Sequence, residues 1–147
     1  MVLARFRTRR LVIPEPLLSQ VRAHVVEEHP NEAGGFLACE REGAALRAVD
    51  ARRLDNESDR PLWQFKATVD ALPETPRVFY HSHTTSASPS GLTKPDRKIT
   101  ERFQLVVFSP GGDPGSYRLF RRGVFNWVEL DVEVEREEGR HRLPRLV

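Results

Sequence analysis

Arg77-Val78-Phe79-Tyr80-His81-Ser82-His83 is the stretch on which the fold turns. Pro76 precedes it, and a loop rich in Ser, Thr, Pro and Gly follows, from Thr84 to Pro95. Apolar and aromatic residues between such boundaries predict a strand. Residues two apart on a strand share a face, so His81 and His83 aim side by side. They stand near the end of an apolar strand, whose rigidity fixes their bite on a shared ion better than a loop would. Taken alone, His-x-His is a weak signal that favours incidental histidines.

The surrounding pattern predicts a sheet with helices packed on it. Upstream, Val2 to Arg7 alternates and reads as a first strand. Pro14 and Pro16 open a helix carrying Leu17, Leu18, Val21, Val25 and Val26 at helical spacing, and Pro30 stops it. Ala33 to Cys39 reads as a buried strand, Glu42-Gly43 as a turn, and Leu46 to Leu54 as the second arm of that hairpin. Asp55 to Arg60 is polar loop. Downstream, Asp96 to Phe103 reads as a short helix and Gln104 to Ser109 as a buried strand. Pro110 to Gly115 reads as a turn, and Ser116 to Arg122 and Val124 to Glu135 as strands. Strands with few helices between them imply an α/β or α+β architecture. No repeat or linker divides the chain, so residues 1–147 are expected to form one domain, with 136–147 a flexible tail.

At 147 residues, 39% hydrophobic and 30% charged, the composition is that of a globular domain. No apolar run approaches the roughly 20 residues that span a bilayer, and no signal peptide is legible, so no membrane partner is expected. The single cysteine, Cys39, excludes an internal disulfide and a multi-cysteine zinc site, and reads as a small buried hydrophobe. A reduced, cytoplasmic setting is the default. Of 23 basic residues only Lys66, Lys94 and Lys98 are lysines, so 20 are arginine, but the net charge is only +2. With acidic residues nearly balancing the arginines, nucleic acid is not expected as a partner.

Three further positions carry chemistry. Glu32, in Pro30-Asn31-Glu32-Ala33-Gly34-Gly35, stands at the entry to a buried strand. A carboxylate is costly there unless paired or used; otherwise it is a solvated turn residue. Asp96 follows Thr93-Lys94-Pro95, which has the form of a helix start with Thr93 as N-cap. By itself Asp96 reads as a capping residue. Two imidazoles and one carboxylate are also three ligands for a zinc ion with an open fourth position. His24 and His29, on or beside the first helix, read as surface residues, and His141 falls in the tail. Trp63 and Trp127 read as core or groove residues. A zinc deaminase would need a Pro-Cys-x-x-Cys pair, which one cysteine rules out.

Together these elements resemble the JAMM metalloprotease signature of the MPN domain family. Glu32 precedes Gly35-Phe36-Leu37; His81-Ser82-His83 follows; a Ser/Thr-rich loop ends at Asp96. The resemblance runs from about Val2 to Val134. It implies a mixed, curved sheet flanked by helices, in the MPN-like (cytidine-deaminase-like) fold. By it His81, His83 and Asp96 would hold one Zn2+, and Glu32 would be the general base. A serine hydroxyl would steady the oxyanion.

The family's pattern places seven residues between the second histidine and that serine. Here nine residues, 84 to 92, lie between His83 and Thr93, which keeps the two-residue gap to Asp96. Either Thr93 replaces the serine, or Ser90, in a Pro-Ser pair like the family's, plays the part. The implied reaction is hydrolysis of an amide or isopeptide bond, at the C-terminal tail of a ubiquitin-like or sulfur-carrier protein. The alternative is a non-catalytic MPN-type protein-binding scaffold. A homodimer stays open.

Overall fold

The computed structural model describes residues 7–68, 71–84 and 92–136. Its seven strands are β1 (Arg10–Pro14), β2 (Gly34–Glu42), β3 (Ala45–Leu54), β4 (Arg77–His83), β5 (Phe103–Phe108), β6 (Ser116–Arg122) and β7 (Trp127–Glu135). The α-helix α1 spans Glu15–Glu28. The strands close into a barrel in the order β1-β3-β2-β4-β5-β6-β7. Closure comes from parallel pairing of β1 with both β3 and β7, which leaves no open edge among these strands. β4 and β5 are also parallel, and the remaining pairs are antiparallel.

Side-chain alternation sorts the sheet into two faces. Val78 and Tyr80 of β4, Leu105 and Val107 of β5 and Leu37 of β2 enter the main core. There they meet Leu18, Val21 and Val25 of α1. α1 has Pro14 as N-cap, Pro16 and acidic Glu15 in its first turn, and Pro30 beyond its end, as the spacing predicts. The opposite face of β4 carries Phe79, His81 and His83, which line an external cavity.

The structure corrects several expectations. Val2–Phe6 lie outside the described residues, and Arg7 is not in a strand. The first strand is instead β1, whose Leu11-Val12-Ile13 run is buried without alternation and so has no amphipathic period to read. The helix expected over Asp96 to Phe103 is a single 3-10 turn, Asp96–Lys98. Ile99 is already extended, and Phe103 opens β5. The segment offers no apolar helical face to bury, so nothing repays a longer helix.

The sheet is therefore closed rather than flanked by several helices, and α1 is the one α-helix among the described residues. β7 begins at Trp127, after a turn through Asn126. His24 is not a surface residue. It is buried, and its Nδ1 shares a 2.7 Å hydrogen bond with Tyr80 Oη. Burial, followed by the charge of Arg53, lowers its basicity and keeps it neutral. His141 and the tail beyond Arg136 lie outside the described residues.

Candidate metal centre

β4 runs over the seven residues that the apolar and aromatic run predicts, and its C-terminal end presents His81 and His83 with ring centroids 5.2 Å apart. The 3-10 turn brings Asp96 to them. His83 Nε2 lies 3.0 Å from Asp96 Oδ2, and His81 Nε2 lies 3.8 Å from Oδ1. One donor atom from each residue falls within 4.8 Å of the others, and all three residues are buried. Two imidazoles and a carboxylate at this spacing fit a single borderline-soft divalent ion.

Neighbouring residues hold the three donors in place. Thr93 N–H donates to Asp96 Oδ2 at 3.0 Å, and Asp96 N–H donates to Thr93 Oγ1 at 3.4 Å, a reciprocal capping arrangement. Gln104, fully buried on β5, bridges the two sides of the centre. Its Oε1 is 2.8 Å from His81 Nε2, and its Nε2 donates to the Asp96 carbonyl at 3.0 Å. Phe79 stacks on His81 and the Phe108 edge meets His83, so both rings are fixed by packing.

Glu32 is buried at the start of β2 and lines the same cavity as His81, His83 and Asp96. Its position is secured through its neighbours. Ala33 N–H donates to Ser82 Oγ at 2.8 Å, and Ser82 N–H to the Ala33 carbonyl at 2.9 Å. Glu32 N–H donates to the Pro61 carbonyl at 2.7 Å. Asn56 Nδ2 donates to the carbonyls of Glu32 and Gln64, each at 2.9 Å, which pins the loop carrying Trp63 and Phe65 over the site. Thr84 Oγ1 donates to the Pro30 carbonyl at 2.9 Å.

The protonation states follow from burial and from these neighbours. Desolvation raises the Glu32 carboxyl to about 7, with His83 opposing and Asp96 adding to the rise. Burial alone would raise Asp96, but the hydrogen bond from His83 and the charge of His81 outweigh it and hold the carboxyl at about 2. Burial lowers His81 and keeps it neutral, the form that ligates a metal. His83 is also depressed by burial, but the hydrogen bond and charge of Asp96, with Glu32, lift it above the ordinary value.

The cavity holds about 770 Å³. Phe36, Phe65 and Phe79 make its apolar wall, and Trp63, 65% exposed, stands at its rim. Gly34 makes this wall possible, because a Cβ there would lie 2.4 Å from the Phe65 ring. Trp63 is thus a groove residue. Trp127 packs against a small outer cluster of Val106, Phe108 and Phe120. Ser90 lies outside the described residues, whereas Thr93 lines the cavity. Sequence reasoning did not single out Asn56, Ser82 or Gln104. A lone amide or hydroxyl has no local signature, although a glutamine inside the apolar run Phe103 to Phe108 was a visible anomaly.

A closed mixed barrel with His, His and Asp on one outer face and a buried glutamate beside them defines the class. The chain belongs to the JAMM/MPN family: the family of prokaryotic homologs of the JAB domain matches residues 14–119. The chain is 35% identical, over 122 residues, to the CysO-cysteine peptidase of Mycobacterium tuberculosis, covering 74% of this chain and 79% of that protein. The CysO-cysteine peptidase of Mycobacterium bovis matches equally. Among solved structures, protein DSY2949 from Desulfitobacterium hafniense is similar in fold, with a TM-score of 0.64 and 16% identity over 86% of this chain and 94% of that one. A protein from Salinibacter ruber is similar with a TM-score of 0.58 and 17% identity, over 84% and 90% of the two chains.

Proposed function

We propose that this chain is a zinc-dependent metallopeptidase that hydrolyses an amide or isopeptide bond at the C-terminal tail of a ubiquitin-like or sulfur-carrier protein. The observation that carries this reading is the convergence of His81, His83 and Asp96 beside a buried Glu32, on the wall of an open cavity. The 35% identity to a peptidase named for CysO-cysteine supports the substrate class.

His81, His83 and Asp96 would hold the ion. When bound, zinc supplies a Lewis acid that polarises the scissile carbonyl and makes water acidic near neutral pH. Glu32 accepts the proton of the attacking water. Raised to about 7, it can hold that proton and return it to the leaving amine. Thr93 Oγ1 already accepts from the Asp96 N–H, so its own proton is left to donate toward an oxyanion in the cavity it lines. Ser90 is the other candidate for that donor. The aromatic wall of Phe36, Phe65 and Phe79 excludes water from one side of an extended tail.

Metal analysis together with mass spectrometry of carrier-protein conjugates, before and after incubation, tests this reading. Glu32→Gln is expected to keep the zinc of the wild type and to lose activity by roughly 10²–10⁴-fold. His83→Ala is expected to lose the zinc. Full activity in Glu32→Gln would refute the general-base role, and a wild-type protein that takes up no zinc at neutral pH would refute the enzyme.

A further inference from the structure

One mouth of the barrel is chemically different from the face that carries His81 and His83. Phe103, at the start of β5, pairs with Arg121 near the end of β6, whereas Phe108, at the other end of β5, pairs with His83. Five steps along the strand separate Phe103 from Phe108, about 17 Å at the usual rise. Around the Arg121 end a cavity of about 980 Å³ is lined by Arg7, Arg41, Arg102, Arg121 and Arg122, with no carboxylate among its described lining residues.

Arg121 sets this cavity apart from a solvated basic surface. It follows the core residue Leu119 by two positions, so it shares the inward face of the barrel. It is only 8% exposed, and its buried Nε has no hydrogen-bond partner. Burial, with the neighbouring charges of Arg7 and Arg102, depresses its affinity for its proton. Other barrel arginines are matched to acids: Arg77 with Glu101, Arg118 with Glu129, Arg47 with Glu135. A buried guanidinium among like charges is unfavourable unless an anion completes it. With a net charge of only +2, the chain has gathered this cluster locally.

The rim adds a second feature. Val124 and Phe125, at the tip of the β6–β7 turn, are each 92% exposed and line the same cavity. Large apolar side chains beside an anion site suit a ligand with a phosphate at one end and an apolar or aromatic body at the other. We propose that this arginine-lined mouth binds a phosphate-ester anion, with Arg121, Arg102 and Arg7 on the phosphate and Phe125 against the group attached to it. A nucleotide and an anionic lipid headgroup share that chemistry.

The full-length zinc-loaded protein would be titrated with pyrophosphate and with ADP at ionic strength matched by chloride. In parallel it would be sedimented with phosphatidylcholine vesicles with and without phosphatidylglycerol. At least one probe is expected to bind and to raise the melting temperature beyond chloride. Arg121→Met and Arg102→Ser should each weaken binding roughly tenfold or more, with zinc content unchanged. Arg118→Ser, which removes an arginine already paired with Glu129, should leave binding as it was. Arg102→Ser alters an exposed side chain, so it stays informative if Arg121→Met does not fold. ADP binding weakened by Phe125→Ser, with pyrophosphate unaffected, identifies a nucleotide. Binding only to phosphatidylglycerol vesicles, abolished by Phe125→Ser, identifies a lipid. No binding above chloride by any probe overturns the proposal, as does equal weakening by Arg118→Ser and Arg102→Ser.

Discussion

Glu32 and Gln104 are the buried residues that stand against the candidate metal centre. Without zinc, the folded state binds the Glu32 proton more tightly than the unfolded chain does, since its carboxyl lies near 7 rather than at the model-peptide value of 4.5. Stability should therefore fall as pH rises from about 4.5 to 7, and the penalty is complete above that window. His83, raised by Asp96, acts in the same direction: its contribution is full below 6.5 and is lost as pH climbs through its folded value. Asp96, held at about 2, has the opposite sign, stabilising above 3.8 and failing as pH falls through 2. Thermal melts in chelator should thus show Glu32→Gln more stable than wild type at pH 8, with the gap closing near pH 4. Gln104→Leu would strand the polar atoms of His81 and the Asp96 carbonyl. It should cost about 1–3 kcal/mol in stability, read by chemical denaturation.

Among the elements, the loop between β3 and β4 does more for the site than its irregular shape suggests. Asn56 ties it to Glu32 and Gln64, and Phe65 lies over Gly34 against Phe79. Gly34→Ala should displace Phe65 and open the apolar wall. For the proposed peptidase, steady-state kinetics would then show a raised KM, because Phe65 is part of the cavity wall. Asn56→Ala removes five side-chain-to-backbone hydrogen bonds at once and should make the loop a preferred site of proteolytic nicking, checked by limited proteolysis. The 3-10 turn of Asp96–Lys98 has a related lesson. Its capping signal, Thr93 to Asp96, is legible in sequence and is made in the structure. Its length is not, because a cap specifies where a turn begins and tertiary packing specifies how far it continues.

At the scale of the molecule, the described strands form a barrel closed by β1 between β3 and β7, with the candidate metal centre on the outer face of β4. Closure places that centre on the best-buried strands, β4 and β5, and leaves the weaker seam at β7, whose residues are partly exposed. Native-state hydrogen exchange should find the amides of Tyr80 and Leu105 slowest and those of β7 fastest among the strands.

The sequence by itself singled out His81, His83 and Asp96 as candidate metal ligands, the strand that carries two of them, and the family. These depend on local spacing: alternation aligns His81 with His83, and a capping pattern marks Asp96. Strands β2 to β6 and helix α1 were legible for the same reason, since each has a hydrophobic period or sharp turn residues at its ends. Only the tertiary structure decided the closure through β1, the burial of His24 against Tyr80, the clamp of Gln104 on His81 and the gathering of five arginines around one mouth. Each of these joins residues distant along the chain, and no local pattern encodes which of many distant partners the packed core will select.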